Sequence, residues 1–161
     1  MFVEATQLEA ADLAVAHGFD AIEPVVPYLM SLSPGEAEAL AAGLAARAIR
    51  FGPANLPFSL SASDAEFRSG LERLPAIAAA TANLGVPGFI RWLMPHSNTL
   101  TYRDHFALIV QRVRECARIL ETYGQRLGLE YLGPMTAWTK GRFTFVHTLV
   151  VGRDLEAVEL E

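Results

Sequence analysis

Cysteine is almost missing from this chain of 161 residues, occurring only at Cys116. One thiol can form no intrachain disulfide and cannot furnish a Cys-rich zinc site, so its place in a helical pattern reads as a small buried hydrophobe. Positive charge is scarce too. Thirteen Lys and Arg against eighteen Asp and Glu leave a net charge of −5, which offers no general attraction for nucleic acid or an anionic membrane. No apolar run approaches the roughly 18 residues of a membrane span, and the N-terminus lacks a basic segment followed by an apolar core and a cleavage site. The expectation is a cytoplasmic protein with neither nucleic acid nor membrane among its partners. A phosphate-cradling glycine loop, a serine elbow and a CxxC pair are also missing, which leaves nucleotide hydrolysis, acyl transfer and thiol redox chemistry unsupported.

What is present is an apolar content of 52%, enough for one domain with a sizeable core. No linker, charge block or low-complexity segment divides it, so residues 1–161 read as a single domain. Short apolar runs alternate with amphipathic stretches. Helical spacing predicts helices over 6–17, from the Ser33-Pro34-Gly35-Glu36 cap to about Ala48, from Ser63 to about Leu84 with a kink at Pro75, and over 102–123. In the last of these Phe106, Ile109, Val110, Val113, Ala117 and Leu120 form the packed face, while Arg112 and its neighbouring charges occupy others. Between the helices lie expected strands at 19–26, 49–51, 89–94 and 127–132, with a vestigial one at Phe2-Val3-Glu4 and a rigid loop over 52–57. About five strands alternating with helices call for parallel pairing through right-handed crossovers.

Glu130 is the leading candidate for function. It ends the apolar run Leu127-Gly128-Leu129 just before the Gly133-Pro134 turn, where a buried charge needs a partner. Arg91, on an expected core strand, is the natural one. Glu23 precedes Pro24 at another strand end, and His96 opens the loop after Met94. Trp92 and Trp138 could wall a sugar pocket, while Lys140 and His147 follow the Glu130 loop. His17 and His105 fall within helices and read as solvated positions.

The series Ala16-His17-Gly18-Phe19-Asp20-Ala21-Ile22-Glu23, Asn55-Leu56-Pro57, Asn83-Leu84-Gly85 and Tyr123-Gly124 leading to Leu127-Gly128-Leu129-Glu130 resembles the sugar phosphate isomerase/epimerase family of xylose isomerase-like barrels over roughly residues 6–150. The resemblance implies an α/β fold of the (β/α)8 TIM-barrel type, here a partial barrel, because such barrels take about 250 residues. It implies an enzyme acting on a small carbohydrate, with Glu130 as first ligand of a divalent metal, Mg2+ or Mn2+ before Zn2+. The bound ion would stabilise an enediolate while carboxylates such as Glu130 and Glu23 move the proton. Asn55, Arg91, His96, Trp138, Lys140 and His147 are the expected substrate contacts. The family's later ligands, an aspartate, a histidine and a glutamate, have no matching strands after the helix expected at Phe143 to Leu149. Metal binding by this chain alone is therefore expected to be weak, and the open barrel edge is expected to drive self-association.

Two other readings stay open. A non-catalytic β/α remnant serving as a structural or interaction module would lock Glu130 to Arg91. A DNA-repair endonuclease of the related superfamily ranks last, since that chemistry needs several metal-binding histidines and a basic face.

Overall fold

The computed structural model describes residues 5–147. In chain order these form α1 (Gln7–Ala16), β1 (Ala21–Ile22), α2 (Val26–Ser31), α3 (Pro34–Ala45), β2 (Arg50–Phe51), β3 (Ala54–Asn55), α4 (Asp64–Asn83), β4 (Gly88–Leu93), β5 (His96–Ser97), α5 (Tyr102–Glu121), β6 (Arg126–Tyr131), α6 (Met135–Trp138) and β7 (Phe143–Thr144). The expected strand at Phe2-Val3-Glu4 and the end of the expected helix, Thr148 and Leu149, lie outside the described residues.

The parallel strands make one succession. β2 pairs with β1, while β3 pairs with β4 and β4 with β6, all in parallel. β2 and β3 are two pieces of a single extended passage interrupted at Gly52-Pro53, where proline has no N–H to give a ladder. Gly52 N donates to Ile22 O on one side (2.9 Å), and Leu56 N to Ile90 O on the other (2.9 Å). Four strand passages therefore lie side by side, separated along the chain by helices. They form a partial TIM-barrel-like α/β fold that does not close among the described residues. Ala54-Asn55 is thus a strand where a loop was expected. β5 and β7 add a small antiparallel pair beyond β4.

Helix starts follow their caps. Thr6, Ser33 and Ser63 each accept from the backbone N–H three residues on, and Glu9, Glu36 and Glu66 return the bond to the cap residue. These bonds lower each glutamate's pKa, chiefly through the Thr6 backbone N–H for Glu9 and through the cap hydroxyl for Glu36 and Glu66. α4 runs through Pro75 without ending. The strand expected over 19–26 shrinks to Ala21–Ile22, because Pro24 and Pro27 cannot donate to a ladder and the chain turns into α2 instead. Phe143-Thr144 is likewise strand rather than helix, held against His96-Ser97.

The core joins Phe67, Leu74 and Ala78 of α4 to Phe89 and Leu93 of β4 and to Ile109, Cys116 and Leu120 of α5, all 2% exposed or less. Burial holds the Cys116 thiol up to about 12, which makes it an inert hydrophobe. Two expectations for α5 are corrected. Its buried stripe is His105, Ile109, Arg112, Cys116 and Leu120, since α4 and β6 both cover it. Arg112 donates to Leu60 O (2.8 Å), Ala62 O (2.7 Å) and Asp64 Oδ1 (2.5 Å), and it lies over the Phe67 ring. Two loop carbonyls and the first carboxylate of α4 meet the cost of burying that cation.

Candidate functional site

Glu23 immediately follows β1, and its place is fixed from behind by Gln7. The buried Gln7 amide donates to Glu23 O (3.2 Å) and accepts from Val25 N (3.0 Å), gripping the backbone on both sides of Pro24. In front, Asn55 Nδ2 donates to Glu23 Oε1. One carboxylate oxygen is thereby oriented, while Oε2 takes no hydrogen bond among the described residues. Gln7 was not singled out from sequence. Its signal was a polar residue on the stripe shared with Ala11 and Ala14.

The parallel register sorts the next candidates by face. Phe89 and Ala54 are partners, as are Arg91 and Leu129, whereas Asn55 lies beside Ile90 and Trp92 beside Glu130. Ala54, Phe89 and Leu93 are buried, so theirs is the helix-covered face. Asn55, Trp92 and Glu130 stand on the other. Arg91 and Glu130 thus leave their strands on opposite faces, and the expected ion pair between them does not occur among the described residues. Nor is Glu130 buried: among the described residues β6 has a strand on one flank only, and the residue is exposed. Arg91 instead brings its guanidinium 4.6 Å from the Trp92 ring centre. Burial lowers its pKa, and its Nε has no hydrogen-bond partner among the described residues.

A second group gathers beyond β4 and β6. His96 Nδ1 lies 2.9 Å from Ala137 O, tying β5 to α6. Trp138 packs on His147 with ring centres 4.7 Å apart, and His147 Nδ1 is 2.6 Å from Phe145 O. Lys140 is exposed. Behind them stands His105, expected in solvent but only 3% exposed. Its ring stacks on Phe145 at 4.1 Å, and Nε2 lies 3.3 Å from Ser61 Oγ. Burial first, then Arg112 and His96, depress its pKa. His17 is exposed, as expected.

Glu23, Asn55, Glu130 and the His96 group all lie at the C-terminal ends of the parallel strands, the end where such sheets carry their chemistry. A cleft of about 680 Å3, lined by Ala117, Arg118, Glu121 and residues 124–127, opens at the opposite end. Among the described residues no three His, Cys, Asp or Glu side chains converge to hold a metal. An exposed carboxylate is a suitable donor for a hard divalent ion, but one is too few.

The family of xylose isomerase-like TIM barrels matches residues 11–156. No curated protein sequence matches the chain. Among solved structures, a xylose isomerase domain protein from Alicyclobacillus acidocaldarius is 27% identical with a TM-score of 0.75, over 94% of this chain and 54% of that one. D-psicose 3-epimerase from Clostridium cellulolyticum, solved with D-tagatose, is 20% identical with a TM-score of 0.70, over 95% and 54%. The IOLI protein, solved with a zinc atom, is 20% identical with a TM-score of 0.64, over 80% and 48%. This chain thus spans about half the length of these structures. With the fold, the register and the match in agreement, the chain belongs to the family of xylose isomerase-like TIM barrels.

Proposed function

We propose that this chain provides part of the site of a divalent-metal-dependent sugar or sugar-phosphate isomerase or epimerase acting in the cytoplasm. The observation that carries the reading is the oriented pair Glu23–Asn55 at the same strand ends as the exposed Glu130. The related epimerase supports a ketose-sized substrate, and the zinc in another relative supports a metal.

The described residues do not complete a metal site, so Glu130 contributes one ligand, and Mg2+ or Mn2+ suits an all-oxygen set better than Zn2+. When bound, the ion would stabilise negative charge developing on oxygens next to the reacting carbon. Glu23 serves as the proton-moving group: Asn55 holds Oε1, and Oε2 is left to take the proton from a carbon beside the carbonyl and return it. The Trp92 ring with the Arg91 guanidinium against it forms one wall, and Trp138 with His147 another. Asn55, His96 and Lys140 are the polar groups available to sugar hydroxyls or a phosphate.

Incubation with D-psicose or D-fructose and Mn2+ in D2O tests this. Deuterium should enter the sugar at the carbon beside the carbonyl. Glu23→Gln should slow the exchange by about 100-fold or more, the usual worth of a general base. Exchange that ignores both chelation of Mn2+ and Glu130→Gln would sink the reading.

A further inference from the structure

Two half-buried imidazoles at the C-terminal ends of the strands are held by the same nitrogen. His96 Nδ1 donates to Ala137 O (2.9 Å), and His147 Nδ1 to Phe145 O (2.6 Å). A carbonyl oxygen brings no proton of its own, so the proton of each bond sits on Nδ1, and the neutral ring then presents Nε2 as a lone pair. Neither Nε2 has a hydrogen-bond partner among the described residues. His96 is fixed on its other sides as well. Its backbone pairs with Thr144, Phe145 N donates to Pro95 O (2.8 Å), and Gly141 lies so close that a Cβ there would meet the His96 Cβ, Cγ and Cδ2. An acceptor is thereby held in place, and turning the ring over would forfeit the bond to Ala137.

The neighbouring groups are of the same kind. Asn55 commits an Nδ2 proton to Glu23 Oε1, while Asn55 Oδ1 and Glu23 Oε2 take no hydrogen bond among the described residues. Glu130 adds an exposed carboxylate. Of the cations on β4 and in the loop after α6, Arg91 lies 4.6 Å from the Trp92 ring centre and Arg142 5.0 Å from that of Phe143, and Lys140 stands in solvent. A sugar hydroxyl has a proton to give to such a surface. A phosphate ester brings acceptor oxygens and a charge of roughly −1.5 to −2 at neutral pH, and would meet acceptors and carboxylates. An ion on Glu130 would neutralise that carboxylate and leave the other acceptors as they are.

We propose that the substrate is an unphosphorylated sugar and that His96 is a specificity-determining residue, its Nε2 accepting a hydrogen bond from a sugar hydroxyl. The choice of sugar rests on the reading of this chain as part of a sugar isomerase or epimerase site; the tautomer of His96 does not.

Nitrogen NMR of the imidazoles in the metal-free protein reads the tautomer, with the His96 signals assigned by their loss in His96→Leu. The proton is expected on Nδ1, and a neutral ring protonated at Nε2 overturns the proposal. Titration with D-fructose or D-psicose should then move the Nε2 signal, and D-fructose 6-phosphate should bind about tenfold more weakly than D-fructose or worse. Equal or tighter binding of the phosphate overturns the proposal. His96→Leu should weaken the free sugar by about tenfold, the usual worth of one hydrogen bond, and leave the phosphate within about twofold. A distorted fold would weaken both ligands alike, and that result also counts against His96 as the group that reads the hydroxyl. Deuterium exchange that proceeds while saturating sugar leaves the Nε2 signal unmoved overturns the proposal and leaves the isomerase reading standing. Sugars that neither bind nor exchange in the presence of Mn2+ sink both.

Discussion

Arg91 and Glu130 sit one register step apart on adjacent strands, yet they leave the sheet on opposite faces: Leu129 is the partner of Arg91, and Trp92 the partner of Glu130. The cation turns to an aromatic ring and the carboxylate to open space. A structural lock between them, the mark of a remnant module, is not how this chain is held together. What remains at Glu130 is an acceptor that no described cation neutralises.

Replacing Glu130 with Gln should therefore be almost neutral for the metal-free protein, within about 0.5 kcal/mol, as for other exposed positions without a partner. Denaturant melts in EDTA measure it. A loss above about 2 kcal/mol, approaching the cost of breaking a buried pair, would mean that Glu130 has a structural partner after all.

The helix ends were legible in the sequence because punctuation marks them. Gly18, Gly85 and Gly124 adopt positive φ at helix exits, and the Ser33 and Ser63 caps state where helices begin. Faces were less legible. A one-residue offset decides whether Arg91 meets Glu130, and periodicity within one strand says nothing of its register against the next. Burial of His105 and Arg112 escaped for a related reason: a helix covered on two sides has a wider buried stripe than its apolar residues outline. The Gln7 contact was invisible because its partners are backbone atoms sixteen and eighteen residues away.

Gln7→Leu preserves the size of a buried side chain but leaves Glu23 O and Val25 N without their partner. The expected loss is about 1–3 kcal/mol in denaturant melts, the cost of stranding a buried polar group. Because the same backbone carries Glu23, the Asn55 side-chain amide resonances should also shift. A neutral melt with unchanged Asn55 signals would show that solvent replaces the amide at no cost.

Stability should respond to pH through His105. Its pKa in the folded protein is depressed below the ordinary histidine value of about 6.5, by burial and then by Arg112 and His96. Between the folded and unfolded values the unfolded chain binds more protons, so stability rises with pH there. This contribution is complete above about pH 6.5 and is lost as pH falls towards the folded value. The wild type should weaken as pH drops from 7 towards 5, before the capping carboxylates Glu9, Glu36 and Glu66 protonate. His105→Phe should flatten that segment of the curve and leave the steeper acid limb in place. An identical slope in the variant would assign the dependence to other groups.

Two glycines separate the needs of the fold from those of the site. Gly88 has φ of +157°, and a Cβ there would run into the backbone of Arg126, its partner across the central ladder. Gly141 carries no such backbone demand, but a Cβ would fall on the His96 ring. Gly88→Ala should therefore cost more than about 2 kcal/mol, since neither strand can move without opening the β4–β6 pairing. Gly141→Ala should cost less, about 1–2 kcal/mol, because it lies in a surface turn that can shift, although the clash includes the His96 Cβ, which no rotation of the ring relieves. If His96 contacts the sugar, that small displacement should still lower the exchange rate by about tenfold, as misplacement of a binding group does. Paired melts and D2O exchange on the two variants measure both quantities. Full exchange by folded Gly141→Ala would remove His96 from the site.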